Sequence, residues 1–282
     1  MSVDRAIATG AGKAAAIYHE ARPPYPDALF DAIVRRTAIP PAGRILEIGC
    51  GTGRATLALA ERGFRIHCLE PSPSLAVETR RNVERFTSVE VEDAYFEDWS
   101  AAGRDFDVVL SAQAFHWVDP SVRVPKAAEA LKPGGAIAVF WRLLVHPQPA
   151  LGAAFHRALR ACKAEVPSLV SLLDELDPIK REIERSPSFD GLDVSRSQMS
   201  WTYDAAGYLR LLRTHPGFIA VSESTRDRLF AEIAAVVAEI GGTVDLGFDT
   251  ILYVARRKWL APAWARRLPL PIRQFGNRIL GR

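Results

Sequence analysis

Short apolar runs alternate with longer amphipathic segments over the first half of the chain. The apolar runs predict five strands, at 44–49, 65–69, 88–92, 106–112 and 136–141. The segments before and between them have helical spacing, at 27–37, 54–62, 74–86 and 122–131. The run Phe106–Ala112 is apolar almost throughout, which indicates a strand buried on both faces. Buried strands that alternate with helices predict a parallel sheet with a helical layer on each side.

The alternation stops near Pro147. Residues 150–185 have a helical pattern without a strand, and two further strands are predicted at 195–203 and within 243–255. We expect these two strands to pair as an antiparallel hairpin at one edge of the sheet. Helices between them are predicted at 205–213 and 224–240. The boundaries that follow are an N-terminal arm at 1–26, a core at 27–146, a helical lid over the substrate pocket at 147–190, the C-terminal part of the core sheet at 191–257 and a basic tail at 258–282.

A glycine-rich turn, Gly49-Cys50-Gly51-Thr52-Gly53, follows the first strand and opens the next helix. Glycine lets the backbone turn sharply and approach a ligand, and a helix N-terminus offers unpaired N–H groups. Glu47 precedes the turn, and Glu70 ends the second strand, where a carboxylate can accept both hydroxyls of a ribose. The GxGxG spacing differs from the GxGxxG of dinucleotide sites. The turn therefore predicts a nucleotide-like ligand of another kind.

Three motifs occur here in the order found in a known family. They are Glu47 with the glycine turn, Glu70 after the second strand, and Leu131-Lys132-Pro133-Gly134-Gly135 before the fifth. Together they resemble the class I S-adenosylmethionine (SAM)-dependent methyltransferases, most strongly over residues 18–142. The resemblance implies an α/β fold with a doubly wound, Rossmann-like sheet of seven mostly parallel strands, an antiparallel edge hairpin and a helical lid. It also implies SAM as the cofactor.

Three shorter segments are similar to one branch of that family, the small-molecule enzymes related to trans-aconitate methyltransferases. They are Tyr18 to Pro26, Phe96-Glu97-Asp98-Trp99 and Ala114-Phe115-His116-Trp117. In that family the glycine turn holds the methionine part of SAM, the acidic residue after the second strand holds the ribose, and the turn after the third strand contacts adenine. Ala94 stands where that last turn has a glycine. The SAM-binding positions that the resemblance implies are Tyr18, Arg22, Glu47, Gly49, Cys50, Gly51, Gly53, Glu70, Pro71, Asp93, Tyr95, Phe96 and Gln113.

His116 is the candidate catalytic residue, because it follows the fourth strand where the family's active site opens. A neutral imidazole there can take a proton from an acceptor hydroxyl or amine. The alternative is a ring that packs beside Trp117 and shapes the pocket, since holding the nucleophile in line with the methyl group can suffice for transfer. Arg22 either pairs with a carboxylate, of SAM or of an acidic acceptor, or is solvated. Trp141 and Arg142 end the fifth strand, where they can line the acceptor side; for Trp141 the alternative is packing in the core.

The predicted activity is methyl transfer from SAM to an O, N or C nucleophile of a small molecule, with a carboxylic acid as one candidate. Ser111-Ala112-Gln113-Ala114 stands where an Asn-Pro-Pro-Tyr type of motif would be, which disfavours nucleic-acid bases and protein amides as acceptors. Two alternatives stay open. One is a SAM-binding protein without catalysis, and the other is a nucleotide-dependent oxidoreductase.

Charge and cysteine content bear on partners and compartment. The 282 residues carry a net charge of +3, but residues 256–282 hold eight Arg or Lys and no acidic residue, which leaves 3 minus 8, or −5, on the rest. The body therefore does not indicate a nucleic-acid partner. The basic, aromatic tail suits peripheral contact with an anionic membrane, or packs on the body or on a second subunit of a homodimer. The three cysteines are scattered, so they predict neither a metal site nor a disulfide, and they fit a cytoplasmic protein. We expect a monomer or a homodimer.

Overall fold

The computed structural model describes residues 15–101, 105–145, 171–214 and 222–259, together with the single positions 152, 160 and 218. Its centre is a seven-stranded sheet in the order β3-β2-β1-β4-β5-β7-β6. The strands are β1 (Arg44–Ile48), β2 (Arg65–Leu69), β3 (Val89–Glu92), β4 (Phe106–Ala112), β5 (Leu131–Val145), β6 (Phe189–Asp204) and β7 (Thr243–Arg257). β1 to β5 run parallel, β7 is antiparallel to β5, and β6 is antiparallel to β7. The predicted α/β sheet with an antiparallel edge hairpin is confirmed.

Helices connect the strands on both faces of the sheet. They are α1 (Ala15–Ala21), α2 (Asp27–Thr37), α3 (Arg54–Ala60), α4 (Pro73–Val83), α5 (Arg123–Ala130), α6 (Ser171–Arg185), α7 (Ala205–Arg213) and α8 (Glu223–Glu239), with a 3₁₀ turn at Phe115–Trp117. The bounds of α2 agree with the prediction because both ends have clear stop signals. The helix begins after the extended Pro26 and ends at Ala38, whose φ of 46° leaves the helical region.

Two apolar cores lie on opposite faces of the sheet. On one face α2 and α3 pack against the central strands, with Phe30 and Leu59 buried in the contact. On the other face α5 and α6 cover the sheet, and Leu176 and Ile179 of α6 are buried there. Helix α6 therefore contributes to the layer over the sheet. Most of the remaining part of the predicted lid, 147–190, lies outside the described residues, and its role as a lid stays a prediction.

The last three strands extend beyond the carboxyl edge of the parallel sheet. β4 ends at Ala112, which pairs with Phe140, whereas β5 continues to Val145. The β6–β7 hairpin continues further, to the pair formed by Asp204 and Thr243. At about 3.3 Å per residue the hairpin rises about 30 Å above the end of β4. The predicted β5 is too short because its last residues are strand only through their pairing with β7, which is distant in sequence.

Helices α7 and α8 pack against this extension and form a third core. Its buried side chains come from both helices, both strands and the residue between the helices: Tyr203, Tyr208, Leu211, Leu212, Phe218, Leu229, Phe230, Ile233, Val237, Val244, Leu246 and Phe248. We call residues 199–214 and 222–250 the hairpin cap. The sequence pattern predicts its helices and strands, but not that they stand above the carboxyl edge, where open α/β sheets bind their ligands.

Candidate active site

The glycine turn leaves β1 at the carboxyl edge and enters α3 through three left-handed residues. Gly49, Gly51 and Gly53 have φ values of 68°, 62° and 78°, a region that only glycine enters without cost. A Cβ on Gly49 would also lie 2.5 Å from Cβ of Ala114, and a Cβ on Gly53 would lie 2.9 Å from Cγ2 of Thr79. The turn therefore needs glycine both for its backbone path and for its close packing against the neighbouring segments.

Glu70 holds the glycine turn from the end of β2. Its Oε2 accepts a hydrogen bond from the Gly51 N–H at 2.8 Å, and its Oε1 accepts one from the Ser72 N–H at 3.0 Å. The side chain is buried, and burial raises its pKa to about 7, although both backbone hydrogen bonds act in the opposite direction. A buried carboxylate bound to main-chain donors is thus placed beside the turn, at the predicted ribose position.

Glu47 lies beneath the turn and is completely buried. Its Oε2 accepts a hydrogen bond from the Thr56 hydroxyl at 2.7 Å, while its Oε1 has no hydrogen-bond partner among the described residues. Burial raises the pKa of Glu47 to about 8, and the charge of Glu70 raises it further. Cys50 and Cys68 are buried close by as free thiols, and their pKa values are raised as well. Glu47 is therefore an acid with an unused acceptor atom.

Three residues that the sequence patterns do not single out also fix the turn. The Thr79 hydroxyl of α4 donates to the Gly51 carbonyl at 2.6 Å, and the Asn82 amide donates to the Thr52 carbonyl at 2.9 Å. His19 of α1 lies with Nδ1 3.2 Å from the Thr52 hydroxyl. The polar Thr79 and Asn82, three positions apart on α4, carry a weak sequence signal for a shared face. The contact of His19 with the turn has none.

The segment after β4 adjoins the glycine turn. Gln113 is one of three non-glycine residues with positive φ in the described part of the chain, at 65°. Its N–H donates to the Phe140 carbonyl at 2.9 Å, and its side-chain amide donates to the Arg142 carbonyl at 3.0 Å. These bonds tie the turn to β5 and hold Ala114 against Gly49. The predicted role of Gln113 in SAM binding stays a prediction, while its bonds to β5 are a structural role that the sequence does not reveal.

His116 lies in the 3₁₀ turn, two residues beyond the contact with Gly49. Its Nδ1 is 3.1 Å from the indole Nε1–H of Trp141, which is completely buried on β5. Burial lowers the pKa of His116 to about 4, with a smaller contribution from the positive charge of Arg123. The histidine is thus neutral at physiological pH and sits at the carboxyl edge beside the glycine turn.

The N-terminal arm crosses the same edge and meets the hairpin cap. The Arg22 Nε–H donates to the Thr214 hydroxyl at 3.5 Å, at the far end of α7. The buried guanidinium of Arg142 donates to the Pro23 carbonyl at 2.7 Å and lies over the ring of Tyr25, 4.7 Å from its centroid. Arg142 also lies 5.2 Å from the ring centroid of Phe248 in the cap. The arm, β5 and the cap therefore contact one another on the carboxyl side of the sheet.

The other predicted cofactor residues are less closely grouped. Asp93 forms an ion pair with Arg80 of α4. Phe96 is buried in the core, with its ring stacked 6.3 Å from that of Trp99. Pro71 and Tyr95 are half-buried near the ends of β2 and β3. Tyr18 lies on α1, and its side chain is outside the described part of the structure. Assignment of these five residues to SAM stays a prediction.

Residues 45–135 match the family model of a methyltransferase domain. This segment, which runs from β1 to the start of β5, is therefore similar to a methyltransferase domain. A solved structure similar to it, a candidate type II methyltransferase from Anaeromyxobacter dehalogenans, shares 25% identity at a TM-score of 0.61 and covers 86% of this chain and 99% of the other. This match favours a methyltransferase over the oxidoreductase alternative.

The chain is also similar in sequence to two methyltransferases of Mycobacterium tuberculosis. An uncharacterised methyltransferase of Mycobacterium tuberculosis is 33% identical over 132 residues, which is 46% of this chain and 51% of the relative. A trans-aconitate 2-methyltransferase of Mycobacterium tuberculosis is 34% identical over 114 residues, 39% of this chain and 41% of the relative. The chain thus spans about half or less of the length of these relatives. Within the described ranges, no helix has the length and apolar character required to cross a bilayer.

Proposed function

We propose that this methyltransferase binds SAM at the glycine turn and transfers its methyl group to an O, N or C nucleophile of a small molecule, releasing S-adenosylhomocysteine. The observation that carries the proposal is the pair of buried carboxyl groups, Glu47 and Glu70, on either side of three left-handed glycines. SAM combines a ribose diol with a sulfonium and an ammonium group. It therefore presents both the hydroxyls and the positive charge that such a pair of carboxylates recognises.

The fit can be followed atom by atom on the protein side. Glu70 is anchored by the N–H groups of Gly51 and Ser72, which orient its carboxylate for ribose hydroxyls. Oε1 of Glu47 is an acceptor buried without a partner among the described residues, and such an atom costs about 1–3 kcal/mol until a donor reaches it. No atom lies within 4 Å of where a Cβ on Gly51 would be, so a ligand can approach the main chain there. Bound SAM would supply an electrophilic methyl group on a sulfonium.

The acceptor side is supported by the segments around His116. The N-terminal arm, Arg142 and the hairpin cap contact one another on the carboxyl side of the sheet, and this covering favours a small acceptor over a large polymer. The similarity to a trans-aconitate 2-methyltransferase supports the same class and makes a carboxylic acid the first acceptor to test. Arg22, at the junction of the arm and the cap, is the guanidinium that we assign to an acidic group of the acceptor.

Calorimetric titration with SAM and with S-adenosylhomocysteine tests the cofactor site. The Glu70→Gln variant is expected to bind SAM at least about tenfold more weakly, because it loses charge-assisted hydrogen bonds to the diol. Glu84→Gln is the matched control, since Glu84 is an exposed glutamate at the end of α4. Wild-type protein that binds neither ligand would refute the proposal.

A second experiment identifies the acceptor. The protein is incubated with SAM and a metabolite extract, with trans-aconitate in a parallel reaction, and products heavier by one methyl group are detected by mass spectrometry. Formation of S-adenosylhomocysteine together with a methylated small molecule is the expected result. Binding of SAM without turnover of any acceptor would instead indicate a non-catalytic SAM-binding protein.

A further inference from the structure

The contact between Trp141 and His116 determines where the histidine carries its proton. An indole nitrogen has one hydrogen and no available lone pair, so it can only donate. The Trp141 Nε1–H lies 3.1 Å from Nδ1 of His116, which must therefore be the acceptor and carry no proton. A neutral imidazole with an unprotonated Nδ1 has its hydrogen on Nε2.

The donor cannot easily turn away from the histidine. Trp141 is fully buried on β5, and its ring meets that of Tyr253 edge-on at a centroid distance of 5.5 Å. A buried N–H that loses its acceptor costs about 1–3 kcal/mol, so the arrangement with Nδ1 as acceptor is favoured over a flipped ring. A protonated imidazole would place its Nδ1–H against the Trp141 N–H, and two facing donors repel. The contact thus disfavours both the other tautomer and the imidazolium.

The charged groups near the His116 ring also disfavour its protonation. Arg123 is buried on α5 and forms a two-pronged ion pair with Glu182 of α6, with N–O distances of 2.6 and 2.5 Å. Its positive charge lowers the pKa of His116 in addition to the larger effect of burial. Asp119, three positions beyond His116, is exposed, and its Oδ1 accepts hydrogen bonds from the Ser121 N–H and hydroxyl. No described acidic group compensates a charge on His116.

The remaining polar edge of the ring is the Nε2–H. The ring is half-buried, and the described residues place no hydrogen-bond acceptor on Nε2. The turn that carries it begins beside Ala114, which contacts the glycine turn. The Nε2–H is therefore the polar group that His116 has left to offer an acceptor molecule.

We propose that Trp141 fixes His116 as the Nε2–H tautomer, so that His116 offers the methyl acceptor a hydrogen-bond donor and does not act as a base. The assignment of the tautomer rests on the contact with Trp141. The presence of a methyl acceptor beside His116 rests on the proposed function. Trp141 is then a positioning residue. The acceptor group that His116 recognises carries a lone pair, such as a carboxylate oxygen. A carboxylate has no proton to lose, so its methylation needs no base.

Nuclear magnetic resonance of protein labelled with ¹⁵N-histidine tests the tautomer without SAM or an acceptor. The chain has six histidines, and the spectrum of the His116→Gln variant identifies the signals of His116. We expect a protonated Nε2 and an unprotonated Nδ1 that do not change between about pH 5.5 and about pH 8.5. A protonated Nδ1, or titration within this range, would overturn the proposal.

Two Trp→Phe variants compare the role of Trp141 with that of a neighbour. Trp117 also contacts the His116 ring, at a centroid distance of 4.8 Å, but makes no hydrogen bond to Nδ1. Trp141→Phe is expected to give a mixture of tautomers and a ring that titrates closer to the ordinary range, whereas Trp117→Phe keeps the wild-type pattern. An unchanged tautomer in folded Trp141→Phe protein would contradict the role assigned to Trp141. If that variant does not fold, the wild-type spectrum still decides the tautomer.

Turnover distinguishes a donor from a base. With SAM and the metabolite extract as the source of acceptor, His116→Gln keeps an N–H donor but has no basic nitrogen, whereas His116→Phe has neither. We expect His116→Phe to form S-adenosylhomocysteine at least about tenfold more slowly than His116→Gln, mainly through a higher KM. Equal loss in both variants, with the disappearance of a pH-dependent limb of kcat, would show a base. Absence of turnover in wild-type protein would refute the proposed function and leave the tautomer measurement valid.

Discussion

Replacement of Glu47 by glutamine is expected to make the stability of the protein less sensitive to a rise in pH between about 4.5 and about 8. Glu47 is completely buried, and burial raises its pKa from 4.5 to about 8. In the unfolded chain the same carboxyl ionises near its ordinary value. The folded protein therefore holds a proton that the unfolded chain releases at any pH between these two values, and stability falls as the pH rises through this range. Below the unfolded pKa both states are protonated, and the effect vanishes.

The magnitude follows from the two pKa values. Each pKa unit corresponds to about 1.4 kcal/mol, so the loss in wild-type protein accumulates to at most about 5 kcal/mol between pH 4.5 and pH 8. Glutamine has the same shape, can accept the Thr56 hydrogen bond at 2.7 Å through its carbonyl, and does not ionise. The difference in unfolding free energy between Glu47→Gln and wild type should rise by up to about 1.4 kcal/mol per pH unit in this window.

Urea denaturation at several pH values measures this difference. Glu84→Gln serves as the control, and its unfolding free energy should follow that of wild type at every pH because Glu84 is exposed. Glu70 also makes the unfolding free energy fall as the pH rises to about 7. It does so in wild type and in Glu47→Gln alike, so its contribution cancels in the difference between them. A difference that stays constant with pH, or that shifts in favour of wild type as the pH rises, would refute the reasoning.

Three further predictions concern the same part of the fold. SAM binding at pH 7 should release up to about one proton from the protein, since a cationic ligand lowers the pKa values of Glu47 and Glu70. Calorimetry in buffers that differ in ionisation enthalpy measures this proton release, which should be smaller for Glu47→Gln than for wild type. Gly49→Ala should lower the unfolding free energy by more than about 2 kcal/mol, because it adds a clash with Ala114 to the left-handed strain, whereas Gly63→Ala, with open space around it, carries only the strain. Arg123→Met should lower it by about 3 kcal/mol, since Glu182 loses its partner, and thermal unfolding should show partial recovery in the double variant with Glu182→Gln.

Much of the sheet could be predicted because local signals agree with the tertiary fold. β2 and β4 have the predicted bounds, since each is a buried apolar run between polar or turn residues. β6 starts six residues before its predicted first residue, Ser195, because it is an edge strand whose side chains, such as Val194 at 40% exposure, give no clear apolar alternation. A strand that gains its order from one partner carries little pattern of its own.

The candidate site divides in a similar way. The glycine turn and Glu70 are recognisable because backbone conformation and a strand end each require particular residue types. The contacts of His19, Trp141 and Arg142 cannot be recognised from the sequence, since each joins segments far apart in the chain, such as Arg142 with Pro23. Sequence spacing places His116 at the carboxyl edge, but its tautomer depends on a tryptophan 25 positions away. Periodicity within one element cannot reveal such a partner.

The distribution of these contacts suggests how acceptor choice and cofactor binding are separated in this fold. The family model covers residues 45–135, which include the glycine turn, Glu70 and His116. The N-terminal arm, Arg142 and the hairpin cap lie outside that range, and they are joined to one another through the stacking of Arg142 between Tyr25 and Phe248. Under the proposed function, substitutions in the arm, at Arg142 or in the cap are expected to change which acceptor reaches His116, since none of these segments contains Glu47 or Glu70. We therefore expect acceptor specificity to depend on the arm and the cap, and SAM affinity on the shared segment.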